Sequence, residues 1–202
     1  MRRRWGTSRV EAFSDGVFAI AITLLVLDIN IPTSDLDDLW GALKDQWPTF
    51  LAYLISFLAI GGVWLEHHSL FSCLRRVDGM MMRRNLMLLL FVSFLPFPTR
   101  LTAEAITVSR DAERIAVALY GVTLLLIALT LALMWRHAAR DRELLEEDVA
   151  DVVAEQAERR SFAALGLYAL GIAAGVVVLP RLAAFGYLTV ALWSVIDARG
   201  ER

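Results

Sequence analysis

The chain has 202 residues, a formal net charge of −2, 57% hydrophobic and 21% charged residues, and a mean hydropathy of +0.56. Soluble domains run nearer half apolar and a quarter charged; here the apolar residues also fall in long blocks, which excludes an ordinary soluble enzyme, a disordered chain and a coiled coil. The near-neutral charge makes no electrostatic case for a nucleic-acid partner, and a single cysteine, Cys73, excludes an intramolecular disulfide and a cysteine-based zinc site.

What remains is an all-α integral membrane protein. A helix needs roughly 20 mainly apolar residues to cross about 30 Å of hydrocarbon. Six segments qualify, at about 12–31, 49–65, 86–101, 115–135, 162–179 and 182–196. The first carries one interior carboxylate, Asp15; the third contains Pro96 and Pro98, which predict a fixed bend. The fifth, with Gly166, Gly171 and Gly175, suits close helix packing. It is separated from the short sixth only by Pro180 and Arg181, which predicts a tight hairpin. Blocks of this length are not the alternating strands of an outer-membrane barrel. Residues 137–160 read as a cytoplasmic helical extension, with Leu145, Val149, Val152 and Val153 at helical spacing. The whole chain, 1–202, reads as one six-span unit.

Basic residues set the orientation. With the N-terminus inside, fifteen Arg fall in inner segments and five Arg or Lys in outer ones. Both termini are therefore expected in the cytoplasm. Arg2, Arg3 and Arg4 read as the positive flank of a signal anchor, and no cleavable signal is visible. Trp5, Trp40, Trp47, Trp135 and Trp193 near span ends fit an interfacial aromatic belt.

No enzyme motif stands out: there is no HExxH, no phosphate-binding loop, no GxSxG and no carboxylate pair within a span. Glu66-His67-His68 resembles a ligand set, but adjacent helical residues point about 100° apart and rarely share an ion; neither a catalytic residue nor a metal site or cofactor is expected. No TVGYG-like carbonyl filter occurs, since Tyr120-Gly121 lies inside the fourth span, and no span holds the regular arginines of a voltage sensor.

The first span is the most informative. On a helix, Phe13, Gly16, Ile20, Thr23, Leu24 and Leu27 share a stripe about 100° wide, with Asp15 off it. Branched aliphatics plus one hydroxyl fit either ordinary helix packing or a pore wall with a hydrophobic constriction.

Arg9, Phe13, Ser14 and Asp15, spaced as Arg-x-x-x-Phe-Ser-Asp, resemble the signature of the endolysosomal leak potassium channel family, transmembrane protein 175, and its prokaryotic relatives. Trp64-Leu-Glu-His67-His68 is similar to the end of the second span in bacterial members. Asn85, followed by an aliphatic run and Phe94-Leu-Pro96-Phe97-Pro98-Thr99, is similar to their third span. The likeness covers about the first hundred residues.

The resemblance implies a homotetramer of six-span subunits without a re-entrant loop, with the first helix of each lining the pore. It implies a prokaryotic inner (plasma) membrane and passive conduction of potassium, with other monovalent cations less favoured. By position, Ile20 is the narrow hydrophobic ring, Thr23 or Leu24 the next layer and Leu27 the outermost. Ser14 and Asp15 are expected to hydrogen-bond the second and third spans through Trp64, His67 or His68, and Asn85, because unpaired burial costs several kcal/mol. The competing role for Asp15 is cation attraction at the inner mouth; Arg9 either pairs with an acid or belongs to the positive flank. Two other functions stay open: a proton-coupled transporter using Asp15 and His67 or His68, and a non-conducting membrane scaffold.

Overall fold

The computed structural model describes residues 4–146 and 149. The expected fifth and sixth spans, and most of the 137–160 extension, lie outside the described residues. Those described form four helical passes long and apolar enough to cross a membrane: Ser8–Asp28, Trp47–Ser72, Gly79–Ala105 and Arg110–Arg140.

A short strand β1, Arg4–Trp5, leads into α1, Ser8–Leu24. The helix tightens into a 3₁₀ turn over Leu25–Asp28 and stops where Ile29 turns extended. The connection to the second pass folds as a 3₁₀ segment, Thr33–Asp38, and a short helix α2, Leu39–Asp45, capped by Asp38 accepting from the Gly41 N–H at 3.0 Å. Gln46 Nε2 donates to the Asn30 carbonyl at 3.0 Å and ties the end of the first pass to the start of the second.

That second pass is α3, Trp47–Ser72. Pro48 sits in its first turn, where no amide donor is needed. The helix runs past the expected end near Leu65 because its polar residues Ser69 and Ser72 continue the helix; Ser72 Oγ returns its proton to the Ser69 carbonyl at 2.8 Å.

The third pass begins seven residues before the expected Leu86. Strand β2, Val77–Asp78, pairs antiparallel with β1. Asp78 then caps α4, Gly79–Phe94, accepting from the Met80 and Met81 N–H groups at 3.1 and 2.8 Å. At Leu95 the helix breaks and resumes as α5, Pro96–Ala105. Pro96 cannot donate to Val92, so the Leu95 N–H turns back to that carbonyl at 3.2 Å. Thr99 and Thr102 hydroxyls donate to the Leu95 and Pro98 carbonyls at 2.8 Å each, which keeps the bend's polar groups satisfied inside the bundle.

The fourth pass, α6, Arg110–Arg140, starts at a Ser109 cap and carries Asp111 and Glu113 in its first turn and His137 and Arg140 in its last, as the helix dipole favours. It packs along α4 and α5, while α1 lies on α3 and α4 and α3 on α5. The core runs between them through Phe18, Ile60, Phe71, Leu88, Val92, Leu124, Ile127 and Met134.

Residues 137–140 of the expected extension continue α6, and the described residues after them are not α-helical. After Arg140 the chain makes a 3₁₀ turn at Arg142–Leu144, and Leu145 is extended and bridged to Leu74. Leu144 carbonyl accepts from the Arg75 N–H at 2.9 Å and Glu146 N–H donates to the Cys73 carbonyl at 3.1 Å. Both leucines are buried, so Leu145 joins the core instead of a helical stripe.

At this end of the bundle Asp78 also bonds His137 Nε2 at 3.0 Å, joining the start of α4 to the end of α6. Burial raises the Asp78 carboxyl, but the two helix N–H donors and His137 outweigh it and hold the carboxyl below the ordinary range. A carboxyl lowered on folding stabilises fully above its unfolded value, and that gain is lost as pH falls through the folded value. Asp78→Ala should cost about 1–2 kcal/mol at neutral pH. In thermal melts, the gap from wild type should close below about pH 4.

Candidate functional site

α1 divides cleanly between two faces. Ser14, Phe18 and Ala21 are buried on the side that packs on α3 and α4, and Leu25 is buried in the 3₁₀ turn that packs on α3 and α5. On the opposite side Phe13, Gly16, Ile20, Thr23, Leu24 and Leu27 are exposed, with Ile20 61% and Leu27 71% accessible. Among the described residues, and apart from its own stretch of helix backbone, nothing comes within 4 Å of where a Gly16 Cβ would stand. Thr23 Oγ1 donates its proton to the Ile20 carbonyl at 2.9 Å. Its remaining lone pairs therefore make it an acceptor on this face.

Behind that face runs a directional hydrogen-bond chain. Ser14 Oγ donates to the Val10 carbonyl at 2.8 Å and accepts from Asn85 Nδ2 at 2.9 Å. That leaves Asn85 Oδ1 as acceptor for His67 Nε2, also at 2.9 Å, so the His67 proton sits on Nε2. Ser14, His67 and Asn85 are each no more than 1% exposed. The His67 ring stacks on Phe71 at 4.3 Å and leans on Phe18 at 5.5 Å, which fixes its plane. Each of the three residues is bonded to the next, so polar groups from three passes meet one another inside the bundle.

Asp15 belongs to a separate, outer contact. It is exposed rather than buried, and accepts from Trp64 Nε1 at 2.9 Å. His68, also exposed, stacks on the Trp64 indole at 5.8 Å. The structure thus brings Ser14, His67 and Asn85 together in one chain, and Asp15, Trp64 and His68 in another; Arg9 stands exposed on the same side of α1 as Phe13. Among the described residues no three His, Cys, Asp or Glu side chains gather as a metal site.

Two clusters escape sequence reasoning. Ser56 Oγ lies 2.8 Å from Thr99 Oγ1 and 3.1 Å from the Tyr120 hydroxyl, linking α3, α5 and α6 deep in the bundle. The partners are 43 and 64 residues apart, and no spacing signals them. The Asp78–His137 pair is the other; its available signal was Asp78 standing just before a helical run as a cap.

The residues thus define a polytopic helical membrane protein whose first pass is pinned from behind by a buried polar chain and leaves an apolar stripe uncovered. The family model for the endosomal/lysosomal potassium channel TMEM175 matches residues 9–96, the stretch that holds both contacts. A potassium channel of Streptomyces collinus is 44% identical over 185 residues, covering 90% of this chain and 89% of that one. The crystal structure of a lysosomal potassium-selective channel TMEM175 homolog from Chamaesiphon minutus superposes with a TM-score of 0.81 at 36% identity, covering 95% of this chain and 97% of that one. The human endosomal/lysosomal proton channel TMEM175 is 40% identical over 141 residues; the match covers 64% of this chain and 27% of that protein. The chain belongs to the TMEM175 family.

Asn85→Leu removes the Ser14 donor and the His67 acceptor together, and should lower stability by about 2–4 kcal/mol through two buried groups left unpaired. Trp64→Phe breaks only an exposed bond to Asp15 and should cost about 1 kcal/mol or less. Thermal unfolding of the two variants in one detergent checks the order.

Proposed function

We propose that this chain is one subunit of a passive, potassium-preferring cation channel in a prokaryotic inner membrane. Each subunit has six spans, residues 1–202 act as one unit with both termini cytoplasmic, and four copies surround a pore lined by α1. The observation that carries the reading is the uncovered stripe of α1, apolar and continuous from Phe13 to Leu27 and opposite a fully packed face. A helix with one such face in a membrane has lipid, another helix or a pore beside it. The single hydroxyl and the small Gly16 on this face suit a pore, where aliphatic rings form a dehydrating constriction.

In this reading Ile20 forms the narrow ring and Leu24 and Leu27 the layers beyond it. Potassium sheds part of its hydration at Ile20, and Thr23 offers the replacement oxygen, its proton already given to the helix backbone. The Ser14–Asn85–His67 chain holds the α1 backbone, and Arg9, Phe13, Asp15, Trp64 and His68 set its position at the inner end. No cofactor takes part. The names of the bacterial relatives support potassium as the permeant ion, while the human relative is named a proton channel.

Proton relay through Asp15 and His67 or His68 finds less support. His67 lies on a buried chain that ends on the Val10 carbonyl, apart from Asp15, and His68 meets Asp15 only through the Trp64 indole, whose single N–H donates to the carboxylate and which has no acceptor site to pass a proton on.

Potassium flux into liposomes holding the purified chain, with sodium in a parallel set, tests the reading. Rapid, non-saturating potassium flux with weaker sodium flux is the expected result; saturable flux driven by a pH gradient indicates a transporter, and no flux in either ion from folded tetramer leaves a closed channel or a scaffold. Ile20→Asn should raise sodium flux and weaken discrimination. Thr23→Ala, which deletes one oxygen per subunit, should lower the potassium-to-sodium ratio by about fivefold, the weight of about 1 kcal/mol. An unchanged ratio in both variants sinks the pore assignment.

A further inference from the structure

The basic end of α4 opens into a cleft lined by Trp5, Met80, Arg83 and Arg84, with Asp78 and His137 at its back. Arg84 gives one N–H to the Leu133 carbonyl. Arg83 folds back so that its Nη1 lies 3.6 Å from where a Gly79 Cβ would stand, and its other polar contact is the Met80 sulfur at 3.9 Å. Among the described residues neither guanidinium has a carboxylate within ion-pair distance. Asp78 attracts Arg84 through space and Arg140 repels it. Asp78 Oδ1 takes two helix amides and His137, and one carboxylate against the two guanidiniums of Arg83 and Arg84 leaves the cleft net positive.

A second, independent feature starts at the same place. Met80, Leu86, Met87, Leu90 and Phe94 are all exposed, between 38% and 58% accessible. With Arg83 they occupy an arc of about 120° on the helix. From Arg83 to Phe94 the stripe climbs about 16 Å, close to the depth of one hydrocarbon leaflet. The result is a helix face with two guanidiniums and an indole at one end and a leaflet-long apolar row above them.

We propose that this cleft binds the phosphate headgroup of an anionic phospholipid, with an acyl chain lying along Leu86, Met87 and Leu90. Basic pockets at the ends of membrane helices recognise such headgroups, and the forked guanidinium matches phosphate oxygens in two-point contact. The exposed Trp5 indole sits where interfacial aromatics hold the headgroup level. The phosphate contact is a chemistry shared with free phosphate esters; the apolar row is what selects the lipid. This site is separate from the α1 stripe and does not rest on the channel reading.

The test uses the full chain in neutral detergent, reading thermal unfolding against added dioctanoyl phosphatidylglycerol, dioctanoyl phosphatidylcholine or glycerol phosphate. The phosphatidylglycerol should raise the melting temperature in a saturable way, and the other two should not at equal concentration. Arg83→Gln, which leaves the Arg84 bond to Leu133 in place, should weaken the apparent affinity about fivefold, the weight of one basic residue at an anionic headgroup. An equal shift from phosphatidylcholine overturns the headgroup contact, and an equal shift from glycerol phosphate overturns the lipid. An Arg83→Gln variant that titrates like wild type overturns the cleft as the site. Loss of the oligomer in Leu90→Asn by native mass spectrometry, with no phosphatidylglycerol shift in wild type, overturns the proposal in favour of a second copy covering this face.

Discussion

Hydrocarbon offers no hydrogen bonds, so every polar group carried into it must meet another from the protein. The chain from His67 through Asn85 and Ser14 to the Val10 carbonyl is built around that constraint. Its direction is forced: once the serine proton goes to the backbone, the amide must donate to the serine and the imidazole to the amide. A single arrangement of three helices satisfies all of them, so the rotation of α1 about its own axis follows from a few hydrogen atoms. Rotating α1 by one residue would turn Asp15 toward the bundle and take the Ser14 acceptor away from Asn85 Nδ2, leaving only the His67–Asn85 bond in place. Packing adds to this through Phe18 and Phe71 around the imidazole, but aliphatic contacts alone tolerate sliding, and polar chains of this kind do not.

A second polar layer repeats the logic at greater depth. Ser56, Thr99 and Tyr120 join α3, α5 and α6 just beyond the proline bend, where Thr99 also serves the backbone. At the basic end, β1 with β2, Leu74 with Leu145, and Asp78 with His137 close the bundle by main-chain and capping bonds. The described bundle is thus held in three layers, each a small closed polar system, with aliphatic core between them.

Much of this was legible in the amino-acid sequence, and the reasons for the rest are physical. Apolar blocks mark the described passes, and the stripe from Phe13 to Leu27 needs only helical spacing. Ends were harder. Arg83 and Arg84 look like a boundary, yet α4 begins at Gly79, because long basic side chains reach out to the interface while their backbone continues the helix. Leu145 sits at helical spacing with Val149, but an edge pairing with Leu74 was within reach and took it out of any helix. Asp15 reads as a buried carboxylate in a long apolar run, whereas the helix turns it outward to the Trp64 indole. Contacts between residues 43 or 64 positions apart leave no mark in spacing at all.

The tightened turn at Leu25–Asp28 has a rotational consequence for the stripe it ends. A 3₁₀ turn advances about 120° per residue where an α-helix advances about 100°. Converting this turn to α-helix would swing Leu27 by about 60° relative to Leu24 and leave Ile20, fixed below it by the Ser14 anchor, where it is. The outer layer of the face is therefore geared separately from the inner one. A change of hydrogen-bond register in four residues would turn the last aliphatic side chain of the stripe about the helix axis and shorten the pass by about 2 Å.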